Sequence, residues 1–255
     1  MFVVDDRVIY SASDLAAAAR CEYALLRSFD ARLGRGPVVS AADELLARTA
    51  ELGDEHEQRH LDELRSRTDV AIIGRPAYTM AGLTAAAEST LRAVAQRSPV
   101  VYQAAMFDGR FVGFADFLLL DGDRYRLRDT KLARSVRVEA LLQLAAYAET
   151  LAAAGVGVHD EVELVLGDGT TMAYRADELL PVYRSRRAEL QDLLDRHYAG
   201  GVAVSWADAM PGSPAPKRIP KPRVIRLAPV GNRLTGEFAA PAQPGYYRLT
   251  GEVTL

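Results

Sequence analysis

The chain has 255 residues, 49% of them hydrophobic and 25% charged, enough for one large domain or two small ones. No apolar run approaches the roughly 18 residues of a membrane span, and the N-terminus lacks the basic-then-apolar pattern of a secretory signal. The net charge of −3 is split unevenly: residues 207–255 carry seven Lys/Arg against three Asp/Glu, so the body is acidic, which argues against a non-specific polyanion binder. The single cysteine, Cys21, excludes an internal disulfide and suits a reducing cytoplasm.

In chain order, residues up to about 99 read as mainly helical. Ser13-Asp14 signals an N-cap, and the Ala-rich helix after it runs past Tyr23, Leu25 and Leu26 to the Gly34-Arg35-Gly36-Pro37 break. Cys21 is expected as a buried residue of that helix. Ser40 with Asp43 resembles a variant capping box before a long helix whose apolar set includes Leu45, Leu46, Leu52, Leu61 and Leu64. A third helix is predicted over about 82–97, stopping before Pro99.

Residues 100–107, 111–120 and 125–131 read as three antiparallel strands joined by Asp108-Gly109 and Asp121-Gly122 turns. A helix over 139–151 contains Gln143 and Tyr147, one turn apart on one face. Segments 162–166 and 171–175 flank Gly167-Asp168-Gly169, a hairpin turn; it lacks the Gly-Lys-Ser/Thr ending of a phosphate loop. A helix over about 177–198 bears Arg184, Arg186 and Arg187, which either track a DNA backbone or form a charged helix surface. Eight of the twelve prolines fall between 211 and 244, so 207–255 reads as a basic, Pro-rich tail, extended or disordered over 211–223. Its Lys217, Arg218, Lys221 and Arg223 bind phosphate weakly or simply keep the tail soluble.

The chemistry concentrates in Gly113-Phe114-Ala115-Asp116 and Asp129-Thr130-Lys131. Hard carboxylate oxygens on adjacent strands can hold Mg²⁺ or Mn²⁺, which activates water and neutralises a phosphodiester. Lys131 shares a strand face with Asp129 and can orient water or stabilise phosphate charge. The alternative is three charges on a solvated hairpin. His56-Glu57-Gln58-Arg59-His60 also spells the His-Glu-x-x-His of zinc peptidases, although Gln58-Arg59 is unusually polar for one. Those residues are equally readable as a solvated helix without metal. Tyr102, Phe107, Phe111 and Phe114 can stack on unpaired bases or, as strand aromatics mostly do, fill the core.

Taken together, Gly53-Asp54-Glu55-His56, Gly113-Phe114-Ala115-Asp116, Asp129-Thr130-Lys131 and Gln143-Leu144-Ala145-Ala146-Tyr147 resemble, in order, the motifs of the PD-(D/E)XK nucleases. The likeness is to the RecB-like branch that includes CRISPR-associated exonucleases. It extends to the Ser11 to Cys21 opening, which is similar to the N-terminal region of bacterial RecB-like nuclease–helicase proteins. The resemblance implies a restriction-endonuclease-like α/β core, a small mixed sheet flanked by helices, with an N-terminal helical region. Residues 1–206 would be the nuclease domain and 100–199 its catalytic core.

By the same resemblance His56, Asp116, Asp129 and the Thr130 carbonyl would hold Mg²⁺ or Mn²⁺. Lys131 would be catalytic, and Gln143 and Tyr147 would support the site or touch DNA. The expected function is cleavage of single-stranded DNA or DNA ends in repair or recombination, in the cytoplasm and away from membranes. It would act with a helicase partner or a helicase region outside these residues. The iron–sulfur cluster of many relatives is not supported, because Cys21 has no later cysteine to join it and a cluster needs about four ligands. The Pro-rich tail replaces the expected cysteine group, as a truncation, domain loss or frame change leaves it. A catalytically inactive DNA-binding or scaffold remnant is therefore the alternative reading.

Overall fold

The computed structural model describes residues 1–36, 44–205, 228–230, 233–235 and 253–254, with backbone alone for 44–50 and the last three segments. A hairpin of β1 (Phe2–Val4) and β2 (Arg7–Ile9) opens the chain, followed by α1 (Ala12–Arg20), α2 (Glu22–Arg32), α3 (Glu44–Arg65), β3 (Val70–Ile72) and α4 (Met80–Ala95). The meander β4 (Val100–Phe107), β5 (Val112–Asp121) and β6 (Arg124–Lys131) leads to α5 (Val138–Ala153), β7 (Val158–Leu166), β8 (Thr171–Arg175) and α6 (Ala176–Gly200). Strands β3 to β8 form one six-stranded mixed sheet in chain order. β3 is parallel to β4 and β6 to β7, the other neighbours being antiparallel, so α4 and α5 are the crossovers that parallel pairing requires.

The two sheet faces differ. Leu118, Leu127, Val162 and Leu164 join α1, α2, α5 and α6 in the main core. On the other face Phe117 and Val100 pack against Leu61 of α3. Fully burying a side chain such as Phe117 is worth about 1.5–3 kcal/mol. Further along that face apolar packing gives way to charge: Arg126 and Arg128 of β6 pair with Glu161 and Glu163 of β7. One side of β6 is therefore a polar ladder and the other faces the core. Among the described residues no helix is long and apolar enough to cross a membrane.

The mixed α/β architecture and the central strands match the sequence expectation, and several local expectations need correction. Three short strands interrupt the predicted helical region, since three residues apiece are too few to show a periodicity. The first helix begins two residues earlier than Ser13: Ser11 is the N-cap, and Asp14 at the third helical position accepts from the Ser11 amide at 2.9 Å. That helix is in fact two, divided at Cys21. Cys21 is exposed rather than buried, because its extended backbone ends α1 and its Sγ caps α2 by accepting from the Ala24 amide at 3.4 Å. Leu52 is 44% exposed, so the apolar face of α3 rests on Leu61 and Leu64 instead.

Arg184, Arg186 and Arg187 are tied to acidic partners, to Glu149, to Glu189 at 2.9 Å and to Asp108 at 2.6 Å respectively. Phe111 is fully buried, and Tyr102, Phe107 and Phe114 pack at core margins. The Ser40 and Asp43 cap and the 211–223 stretch lie outside the described residues. In the predicted tail, β9 (Ala228–Val230), β10 (Arg233–Thr235) and β11 (Val253–Thr254) pair antiparallel in a second small sheet.

Candidate active site

The β5–β6 ladder runs from Asp121 and Arg124 at the Gly122 turn to Phe117 and Arg128, and ends there. Asp116 and Asp129 are the next residue on each strand, just beyond the last pair. In place of a strand carbonyl, the Asp116 Oδ2 accepts the Thr130 amide at 2.7 Å and the Thr130 hydroxyl at 2.8 Å. A side chain has replaced the ladder. Beyond it β5 stays paired with β4, and β6 with β7 as far as Lys131. The hairpin splays where its two carboxylates meet.

Both carboxylates are sequestered: Asp129 is 0% exposed and Asp116 is 9% exposed. Burial, then the neighbouring Asp129 charge, raises the Asp116 pKa well above the usual carboxylate range; Lys131 and the Thr130 amide offset part of this. Lys131 Nζ pairs with Asp129 Oδ2. Burial alone would lower the lysine's pKa, but Asp129 and Asp116 outweigh it and raise it, so the ammonium stays charged. Its side chain remains one-third exposed, at 33%.

α5 closes the site from the core side. Gln143 Nε2 donates to Tyr147 Oη at 2.7 Å and reaches Asp129 Oδ1 at 3.5 Å, the long limit of a hydrogen bond. The Tyr147 hydroxyl also lies within hydrogen-bond reach of the Phe114 backbone, and burial, then Asp129 and Asp116, pushes its pKa up. The tyrosine ring explains Gly113: a Cβ there would sit 2.9 Å from Tyr147 Cδ1 and closer still to Cε1. Gly53 has no such constraint, since a Cβ on it meets nothing within 4 Å.

α3 contributes differently. His56 is buried, at 8% exposure, and its Nε2 has no hydrogen-bond partner. A buried nitrogen left unpaired costs about 1–3 kcal/mol, which a metal or a proton acceptor would remove. His60 turns elsewhere: its ring meets Phe117 edge-on at 5.0 Å and its Nε2 lies 3.4 Å from Arg128 Nη1. Burial, then the Arg128 charge, lowers its pKa. Among the described residues, no three His, Cys, Asp or Glu side chains are grouped closely enough to hold a metal ion. The structure thus joins Asp116, Asp129, Thr130, Lys131, Gln143 and Tyr147 by hydrogen bonds, and His56 lies outside that network. The donor set itself, two carboxylates with a backbone carbonyl and an orphaned imidazole, suits a hard or borderline divalent cation.

Two further residues carry no clear sequence signal for this site. Gln103 of β4 lies in register opposite Asp116, yet its backbone turns left-handed, with φ 54°. Such a conformation in a non-glycine residue costs on the order of 1–3 kcal/mol and points to a local constraint. The Gln103 side chain donates to Glu57 of α3. Glu57 in turn adds to the negative field on Asp116 and Lys131. Glu57 was visible only as the second residue of the His-Glu-x-x-His string; Gln103 had no signal at all.

No protein-family model matches this chain, and no curated protein matches it.

Proposed function

We propose that this chain is a metal-dependent deoxyribonuclease acting on single strands or DNA ends, built on a restriction-endonuclease-like core of the RecB-like kind. The observation that carries the reading is the buried, neighbouring Asp116 and Asp129 pair with the Lys131 ammonium beside it, at the point where β5 and β6 separate. Two neighbouring buried carboxylates repel each other unless a cation or a proton lies between them. The meander followed by the α5 crossover to parallel β7 supports the core assignment.

Asp116, Asp129, the Thr130 carbonyl and His56 would hold Mg²⁺ or Mn²⁺, which when bound supplies an activated water and neutralises the phosphate. Thr130 fixes the Asp116 carboxylate, and Gln143 steadies Asp129. Lys131, partly open to solvent, meets the phosphate or the attacking water. The Arg128 guanidinium beside His60 disfavours zinc there and speaks against the peptidase reading.

The test is cleavage of a labelled single-stranded oligonucleotide with Mg²⁺ or Mn²⁺. Asp129→Ala should lower the rate by at least ~10²-fold with the fold retained by circular dichroism. Undiminished cleavage in that variant removes the site. Metal-independent binding by the wild-type chain without cleavage would instead establish the scaffold reading.

A further inference from the structure

Beside the carboxylates lies a cleft of about 260 Å³ whose inner wall includes Lys131 and Gln143. Its mouth is formed by Arg20 at the end of α1 and by Arg137 and Glu139 at the start of α5. Arg20 spans the mouth to pair with Glu139 at 2.9 Å. Arg137 is exposed, and among the described residues its side chain makes no hydrogen bond or ion pair. The hydroxyl-bearing Ser13 and Ser135 also line the space, as do small alanines such as Ala16 and Ala133.

We propose that this cleft seats the nucleotide adjoining the scissile bond, with its outer phosphate on Arg137 and Arg20. The proposal rests on the nuclease reading and deepens it by naming the path of the strand. Three cations against one carboxylate favour a polyanion. The volume lies just below the ~300–1,000 Å³ of drug-sized ligand pockets, so one unstacked nucleotide fits and a base-paired segment does not. The alanines of the lining offer apolar contact to a sugar or base without selecting its identity. Lys131 belongs to both the cleft and the carboxylate site, so a phosphate entering past Arg137 comes next to the ammonium and the Asp129 carboxylate. Glu139 competes with the phosphate for Arg20, and removing its charge should therefore strengthen binding rather than weaken it.

The experiment measures binding of a fluorescein-labelled oligothymidylate of about twelve nucleotides to the full chain by anisotropy, in chelator, over a salt series. Arg137→Ala should weaken binding about fivefold to tenfold and flatten the logarithmic salt slope by about 0.7, the value for one lost single-strand phosphate contact. Glu139→Gln should tighten it about threefold, a sign that a merely structural role does not produce. Arg184→Ala, on the exposed face of α6 and paired to Glu149, should change neither. An unchanged affinity and slope in Arg137→Ala overturns the cleft assignment, as does a wild-type chain that fails to bind. The nuclease reading is judged separately, by the effect of Asp129→Ala on metal-dependent cleavage.

Discussion

Asp116 and Thr130 are joined twice, amide and hydroxyl of the threonine both donating to the same carboxylate oxygen at 2.7 and 2.8 Å. The contact fixes one oxygen of Asp116 and leaves the other for the interior of the site. It also explains why the ladder stops there: the Thr130 amide that would continue it is already satisfied.

The charge on Asp116 should be a burden to the folded chain. Burial and Asp129 raise its pKa, so the folded state holds this proton more tightly than the unfolded state does. Between the ordinary value of 3.8 and the raised one, the folded chain binds more protons, and stability falls as pH rises through that window. Asp116→Asn keeps an oxygen for Thr130 and removes the charge. In chelator it should melt higher than wild type at about pH 8, with the advantage shrinking toward about pH 5, while cleavage is lost. Parallel melting curves at both pH values would show that Asp116 carries no such penalty.

His56 offers a second trade of stability against function. His56→Leu removes the unpaired buried Nε2 and should raise stability by about 1 kcal/mol in metal-free buffer, a few degrees in Tm. The same variant should show a smaller Mn²⁺-induced rise in Tm than wild type. A full-size Mn²⁺ response in His56→Leu means that the imidazole is not a ligand.

Gly113 is dictated by the Tyr147 ring. Gly113→Ala should cost about 1–3 kcal/mol through the overlap, lowering Tm and disturbing Asp129 through Gln143. Adding Tyr147→Leu should recover part of the loss. Chemical denaturation of both singles and the double gives the coupling energy, and strict additivity would show that ring and glycine do not meet.

Outside the site, the Asp30 side chain is 2% exposed and binds His197 Nε2 at 2.7 Å and the Val204 amide at 2.8 Å. This clamps the end of α6 to α2. Asp30→Ala, which strands a buried imidazole and an amide, should destabilise by about 1–3 kcal/mol for each group left unpaired. Asp30→Asn, retaining an acceptor, should cost less. Urea titrations that rank the two variants equally would show that the acceptor kept by asparagine adds nothing.

The strands bearing the site were legible because Asp-Gly turns punctuate alternating apolar runs: predicted 100–107 and 171–175 coincide with β4 and β8. Asp116 and Asp129 were recognisable as residues of adjacent strands, since the Asp121-Gly122 turn lies between them. Tyr147 and Gln143 were likewise placed by helical spacing. The left-handed Gln103 was illegible, because a backbone conformation forced by neighbours leaves no trace in a residue type that does not require it. The division at Cys21 was hidden by helix-favouring residues on both sides, where the tertiary packing of α1 and α2 overrides propensity. His56 could be singled out by motif; that its buried Nε2 has no hydrogen-bond partner is a three-dimensional fact.

Cys21 immediately follows Arg20, exposed at the corner between α1 and α2 and close to the mouth of the cleft. Because the chain holds no second thiol, a maleimide dye attached there reports from one defined spot per molecule. Air oxidation can only couple it to another molecule, setting two cleft mouths side by side. Preparations kept in reductant and preparations left without it are therefore different reagents for any measurement on this face.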